Sequence, residues 1–126
     1  MKSFKAYTEE ITQDQLNQVE KFADKLFAKA NIDVSFTRHF ADRMNDDRNG
    51  KPITAAELIH LFKAAWKKIG KKMAEFPNNF EAVINDVAND VNIPFVINDR
   101  SKDKEMVTKT IMRKKDFKSN DPKLKV

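Results

Sequence analysis

His39 and Arg43 lie four residues apart, and on a helix that spacing puts an imidazole and a guanidinium on one face. An imidazole can take up and return a proton near neutral pH, while a guanidinium can hold a phosphate oxygen in fixed geometry. The pair falls beside an apolar stripe of Phe36, Phe40 and Met44, which predicts a position at the rim of a core. The competing structural account makes His39 a boundary residue hydrogen-bonded to a nearby carboxylate such as Asp42 or Asp46.

The second histidine, His60, points away from the centre of a Leu58/Leu61/Phe62/Ile69 stripe, so it should face solvent. Lys63, Lys67 and Lys71 fall near the same outer side, forming a strip able to track a phosphate backbone or an ordinary solvated helix face. A third basic group is Lys109, Arg113, Lys114 and Lys115. If Lys109 and Arg113 lie on one strand they share a side with Val107 and Ile111. Cations there either stabilise charge on a phosphorane-like transition state or protect a strand edge.

Charge is segregated along the chain. Residues 1–50 hold 8 basic and 9 acidic side chains, 51–76 hold 6 and 2, 77–104 hold 3 and 5, and 105–126 hold 7 and 3. Two segments therefore carry the whole positive excess, and side by side they would form a surface for a polyanion, most commonly nucleic acid. The other outcome is a merely soluble basic protein.

Several chemistries are excluded by composition or pattern. The absence of cysteine removes disulfides, thiolate metal sites and a cysteine nucleophile, and fits a reducing, cytoplasmic setting. Neither glycine belongs to a phosphate-binding loop, and no H-E-x-x-H pattern occurs. Asp46-Asp47-Arg48-Asn49-Gly50 lacks the alternating ligands and terminal Glu of a calcium loop. No metal or other cofactor is expected. No apolar run is long enough to span a bilayer, and the N-terminus lacks a signal-peptide core, so no membrane is expected as a partner.

The elements that position these residues read as α+β: N-terminal helices packed on a small antiparallel sheet, in one domain over 1–126. The helical part covers about 10–75, the sheet about 79–115, and a basic tail 116–126. Ten Phe in a chain of 126 residues are enough for one core. A first helix opens at Thr12, capped with Gln15, and carries the stripe Leu16, Val19, Phe22, Ala23, Leu26, Phe27 and Ala30. A second starts after Ser35 and stops in an exposed turn over 45–52. The Thr54/Glu57 capping box opens a third, running to about Ala74. Strands follow at Phe80–Ile84, at Val91–Ile97 with Pro94 implying an edge or a bulge, and at Met106–Met112 after a loop over Asn98–Lys104. Pro122–Val126 either adds a short fourth strand or stays loose.

Phe36-Thr37-Arg38-His39-Phe40-Ala41-Asp42-Arg43, followed by Ala56-Glu57-Leu58-Ile59-His60-Leu61-Phe62-Lys63, resembles the central part of the RegB-like phage endoribonucleases. These also present a His-x-x-x-Arg helix and then a Glu-Leu-x-His-x-x-Lys helix, and belong with the RelE toxins in the barnase/EndoU/colicin/RelE group. Thr108-Lys109-Thr110-Ile111-Met112-Arg113 resembles that group's closing strand. The resemblance covers about 30 residues well and about 75 loosely.

What it implies is a cytoplasmic, phage-encoded, metal-independent endoribonuclease. The 2′-hydroxyl of RNA attacks its own phosphodiester and leaves a 2′,3′-cyclic phosphate. His39 would act as base or acid, His60 as a second proton-transfer group, Arg43 as phosphate clamp, and Lys109 and Arg113 as transition-state stabilisers. By their charge or position, not by the resemblance, Arg38, Lys63, Lys67, Thr110, Lys114 and Lys115 are expected to bind the RNA. Messenger RNA is the implied partner, with room for a ribosome or ribosomal protein. A protein of the same fold that binds RNA without cutting it, or a toxin-like interaction protein, is the alternative.

Overall fold

The computed structural model describes residues 11–100 and 103–126, so the expected reading of the N-terminus and the tip of the Asn98–Lys104 segment lie outside the described residues. Helix α1, Gln13–Phe27, begins at the expected capping box: Gln15 N donates to Thr12 Oγ1 and Thr12 N to Gln15 Oε1. Leu16, Val19, Ala23 and Phe27 form its buried face. Asn31, in the left-handed region at φ 59°, then turns the chain.

Strand β1, Ile32–Phe36, follows, where the sequence pattern predicted the approach to a helix. Five residues are too few for apolar alternation to stand out, and the partner strand is some 70 residues away. Helix α2, Arg38–Met44, is accordingly capped by Thr37 and not Ser35. Helix α3, Ala55–Ala65, starts at the Thr54/Glu57 capping box and continues as a π turn over Trp66–Gly70 and a last α turn over Lys71–Met73. Its Leu58, Leu61, Phe62, Ala65 and Ile69 are buried as expected.

The remaining strands are β2 (Glu81–Asp86), β3 (Val91–Arg100), β4 (Asp103–Thr108), β5 (Met112–Arg113) and β6 (Lys123–Lys125). The order across the sheet is β1-β4-β3-β2-β6, with β5 also paired to β3. The α+β class with N-terminal helices on the sheet therefore holds. The centre, β2-β3-β4, is antiparallel, while β1 and β6 add to its two sides in parallel, making the sheet mixed. Strand β3 extends to Arg100 and β4 begins at Asp103, both within the expected loop over Asn98–Lys104, and Lys123–Lys125 of the Pro122–Val126 segment does form a strand.

Pro94 lies in a central strand, opposite Val83 of β2. Its carbonyl accepts from Lys109 N at 2.8 Å. The amide position of a strand residue points to the same side as its carbonyl, so the missing N–H of Pro94 faces the break between β4 and β5 and interrupts no ladder. The break also changes the phase of the strand: Val107 faces away from the helices, whereas Ile111 is buried in the core.

The helices cover one face of the sheet, where Ile84, Ile93, Phe95, Ile97 and Met106 meet Phe27, Phe40 and Phe62. The outer edge of β1 is closed by α1: Val34 N donates to Asp24 Oδ1 at 2.9 Å and Phe36 N to Glu20 Oε2 at 2.7 Å. Two carboxylates one helical turn apart thus satisfy amides that would otherwise template another strand.

Candidate functional site

Helix α2 is pinned to the sheet at both ends. The Thr37 hydroxyl donates to the carbonyl of Lys109 at 3.0 Å, and Thr37 N donates to Thr108 O. At the other end Asn49, only 5 % exposed, donates to the carbonyls of Arg43 and Met44 and accepts from Arg113 N at 3.0 Å. The turn over 45–52 is therefore not wholly exposed: Asn49 within it is buried, as is Ile53 just after it. Phe40 and Met44 sink into the core, and Phe36 stacks between Phe40 and Phe62 at 4.4 and 5.8 Å. With that face fixed, His39 is exposed and Arg43 half-buried at the border.

Arg43 Nε donates to His39 Nε2 at 3.3 Å, and Arg43 Nη1 reaches Asp46 Oδ2 at 2.6 Å. Asp46 also accepts from the backbone and guanidinium of Arg48, at 2.9 to 3.2 Å. One carboxylate therefore braces two guanidinium groups beside an imidazole. The partner of His39 is Arg43; neither Asp42 nor Asp46 bonds to it directly. Because a guanidinium can only donate, His39 Nε2 is an unprotonated acceptor in this arrangement. Asp46 and Arg48 have the composition of a turn, although an Asp flanked by two Arg in a short loop is also a signal for such bracing.

The other sequence candidates are dispersed. Arg38 is exposed and lines a cleft of about 200 Å³ with Gln13, Asn17, Glu20 and Thr37. His60, Lys63 and Lys67 are exposed on α3, as expected, and the Lys63 ammonium lies 5.8 Å from the centre of the Phe22 ring. No bond among the described residues joins His60 to the His39 group. Lys109 contributes its backbone to the α2 junction, but its side chain pairs with Glu81 on the opposite sheet face. Thr110 is half-buried in the β4–β5 break.

Arg113, expected as a transition-state stabiliser, is engaged within the fold. Its guanidinium donates to the carbonyls of Lys51, Asn89 and Pro52 and to Glu57 Oε1, at 2.8 to 3.1 Å. Its side chain is 12 % exposed. These bonds tie the 51–52 turn, the start of α3 and the β2–β3 turn together, leaving little for a phosphate. Burial pushes the Glu57 carboxyl up, but the bond from Arg113, the capping bond from Thr54 N and the charges of Arg113 and Lys51 outweigh it and hold the group below its usual range.

The two basic segments touch where Arg113 bonds to the Lys51 carbonyl, but the lysines along α3 lie farther off. Glu57 fixes the start of α3 at Arg113, while Lys67 and Lys71 lie ten and fourteen residues farther along, roughly 15 and 20 Å away at helical rise. Lys114 and Lys115 instead rim a separate concavity of about 350 Å³ with Lys123 and Lys125. The carrier segment is held by Asn92, fully buried, whose amide donates to the carbonyls of Asp90, Met112 and Lys114 and whose oxygen accepts from Asn85. An Asn between Val91 and Ile93 is disfavoured in a strand and was the available signal for this latch.

Among the described residues no group of three or more His, Asp or Glu side chains is placed to hold a metal ion, and no helix is long and apolar enough to cross a membrane. Compared with known protein families, curated proteins and solved structures, the chain matches none.

Proposed function

We propose that the chain is an RNA-cutting protein whose centre is the His39/Arg43/Arg48 surface. The observation that carries this reading is the 3.3 Å contact of Arg43 Nε with His39 Nε2, in a chain of bonds that runs on through Asp46 to Arg48. Metal-free cleavage by a 2′-hydroxyl needs a proton acceptor and cations for the charge on the phosphorane. His39 Nε2 supplies the acceptor once the phosphate draws Arg43 away from it. Arg43 and Arg48, spaced by their shared carboxylate, supply the cations. The 2′-hydroxyl gives its proton to His39 Nε2 as its oxygen bonds to phosphorus, and the departing 5′-oxygen takes a proton from solvent water, giving a 2′,3′-cyclic phosphate and a 5′-hydroxyl. The ligand would be single-stranded or messenger RNA in the cytoplasm, with a ribosome as a candidate partner.

Incubation of the protein with total RNA in EDTA, followed by end mapping, tests this: new 2′,3′-cyclic phosphate ends support it, and intact RNA removes catalysis. A second reading, RNA binding without cleavage, is favoured by the commitment of Arg113 to the fold and the pairing of Lys109 with Glu81. It is the outcome if RNA is bound, with salt-dependent affinity, but never cut.

A further inference from the structure

The concavity beyond β5 has features that the His39 surface lacks. Lys123 and Lys125 pair with Val83 and Asn85 of β2, so their side chains lie on the sheet face away from the helices. Lys114 and Lys115 approach the same space from the segment latched by Asn92. Among the described residues none of these four ammonium groups has a hydrogen bond or ion pair. Phe117 is half-buried on the wall, outside the core cluster and without a ring partner among the described residues. Val87, 56 % exposed, completes the apolar part.

We propose that this concavity binds one unpaired nucleotide of an RNA strand, its base against Phe117 and its flanking phosphates on the lysine rim. Its volume lies within the range of small-molecule sites. Free lysines alone would fit any polyanion. An unpaired aromatic ring among them adds affinity for a flat, apolar face, which an unstacked base presents and a paired one conceals. Asp90 and Asp116 in the same wall oppose a continuous rail of phosphates and can accept from the amino or imino groups of a base. A duplex offers neither a free base face nor a free edge on this scale, so the site should select single strands.

The inference rests on RNA being the ligand, and one experiment separates its failure from the failure of that reading. The probe is a fluorescent 2′-O-methyl RNA oligonucleotide, which lacks the attacking hydroxyl and stays intact, used single-stranded and as a duplex. Wild type should bind the single strand at least tenfold more tightly. Phe117→Leu, which keeps apolar volume but removes the aromatic face, should weaken single-strand binding by roughly tenfold. Lys123→Gln with Lys125→Gln should reduce the log-log salt slope by about 1.4, the value for two single-strand phosphate contacts. Equal binding of duplex and single strand, or RNA binding unaltered in both variants, overturns the site and leaves RNA as the ligand. No binding of either probe by wild type at low salt overturns both.

Discussion

Arg113 Nη2 donates to Glu57 Oε1 at 2.8 Å, joining the last strand of the β4–β5 arm to the capping box of α3. The other oxygen, Glu57 Oε2, is buried with no hydrogen-bond partner among the described residues, so the carboxylate depends on Arg113, with the charge of Lys51 beside it, for its compensation. Removing one partner of such a pair costs about 3 kcal/mol, more than an exposed ion pair contributes. Arg113→Ala should lower the melting temperature by roughly 10 °C. A phosphate-binding arginine would leave melting unchanged and alter only RNA affinity, and that result would return Arg113 to the binding surface.

The same pair sets an acid limit. The folded Glu57 pKa is below its ordinary value of 4.5, so its contribution to stability is present above about pH 4.5 and is lost as pH falls through the lower, folded value. Denaturant melts at a series of pH values should show stability dropping below pH 4.5, with a shallower drop in Glu57→Gln. Equal acid slopes would show that other carboxylates dominate.

Asp33 has the opposite behaviour. Slight burial, and then the charges of Asp24, Asp103 and Glu105, raise its pKa from the model-compound value of 3.8. The folded state therefore holds the proton more firmly than the unfolded chain, and the ionised group weakens the fold at neutral pH. Asp33→Asn should raise the melting temperature slightly at pH 7, and the gain should vanish at low pH and shrink in high salt. A fall at pH 7 would assign Asp33 a bond that outweighs the repulsion.

Gly70 closes the π turn beneath Trp66. A Cβ added there would lie 2.0 Å from Trp66 Cε3, and the Trp66 ring is itself held edge-on to Phe27 at 5.4 Å between centres. Replacing a helical Gly by Ala ordinarily stabilises by about 0.5 to 1 kcal/mol, whereas forcing atoms into a packed site costs about 1 to 3. The clash should win, so Gly70→Ala should lower the melting temperature and change near-ultraviolet dichroism from the single Trp. A stabilised variant would mean that the ring moves aside freely.

These cases separate what is local in the sequence from what is not. The starts of α1 and α3 are legible because a capping box is a pattern of four residues, and their buried faces follow from spacing alone. Strand β1 is obscured because its parallel partner, β4, is distant and Phe36 also fits the α2 stripe. Lys109 and Arg113 look alike as cations on a late strand, yet the break opposite Pro94 separates their environments: one crosses to Glu81, the other meets three carbonyls supplied by two distant turns. The His39/Arg43 pairing is legible because it is a four-residue helical spacing, while its bracing by Asp46 and Arg48 depends on how the following turn folds back.

The most direct test of the His39 centre is RNA cleavage in EDTA by wild type and folded His39→Ala, with melting and RNA affinity measured on the same samples. The expected result is cleavage by wild type to 2′,3′-cyclic phosphate ends and a loss of roughly two to four orders of magnitude in His39→Ala, with melting and affinity nearly unchanged. His39 is exposed and its side-chain bond is to Arg43, so little stability is at stake. Full cleavage by folded His39→Ala, or no cleavage of any RNA by wild type, would contradict the assignment.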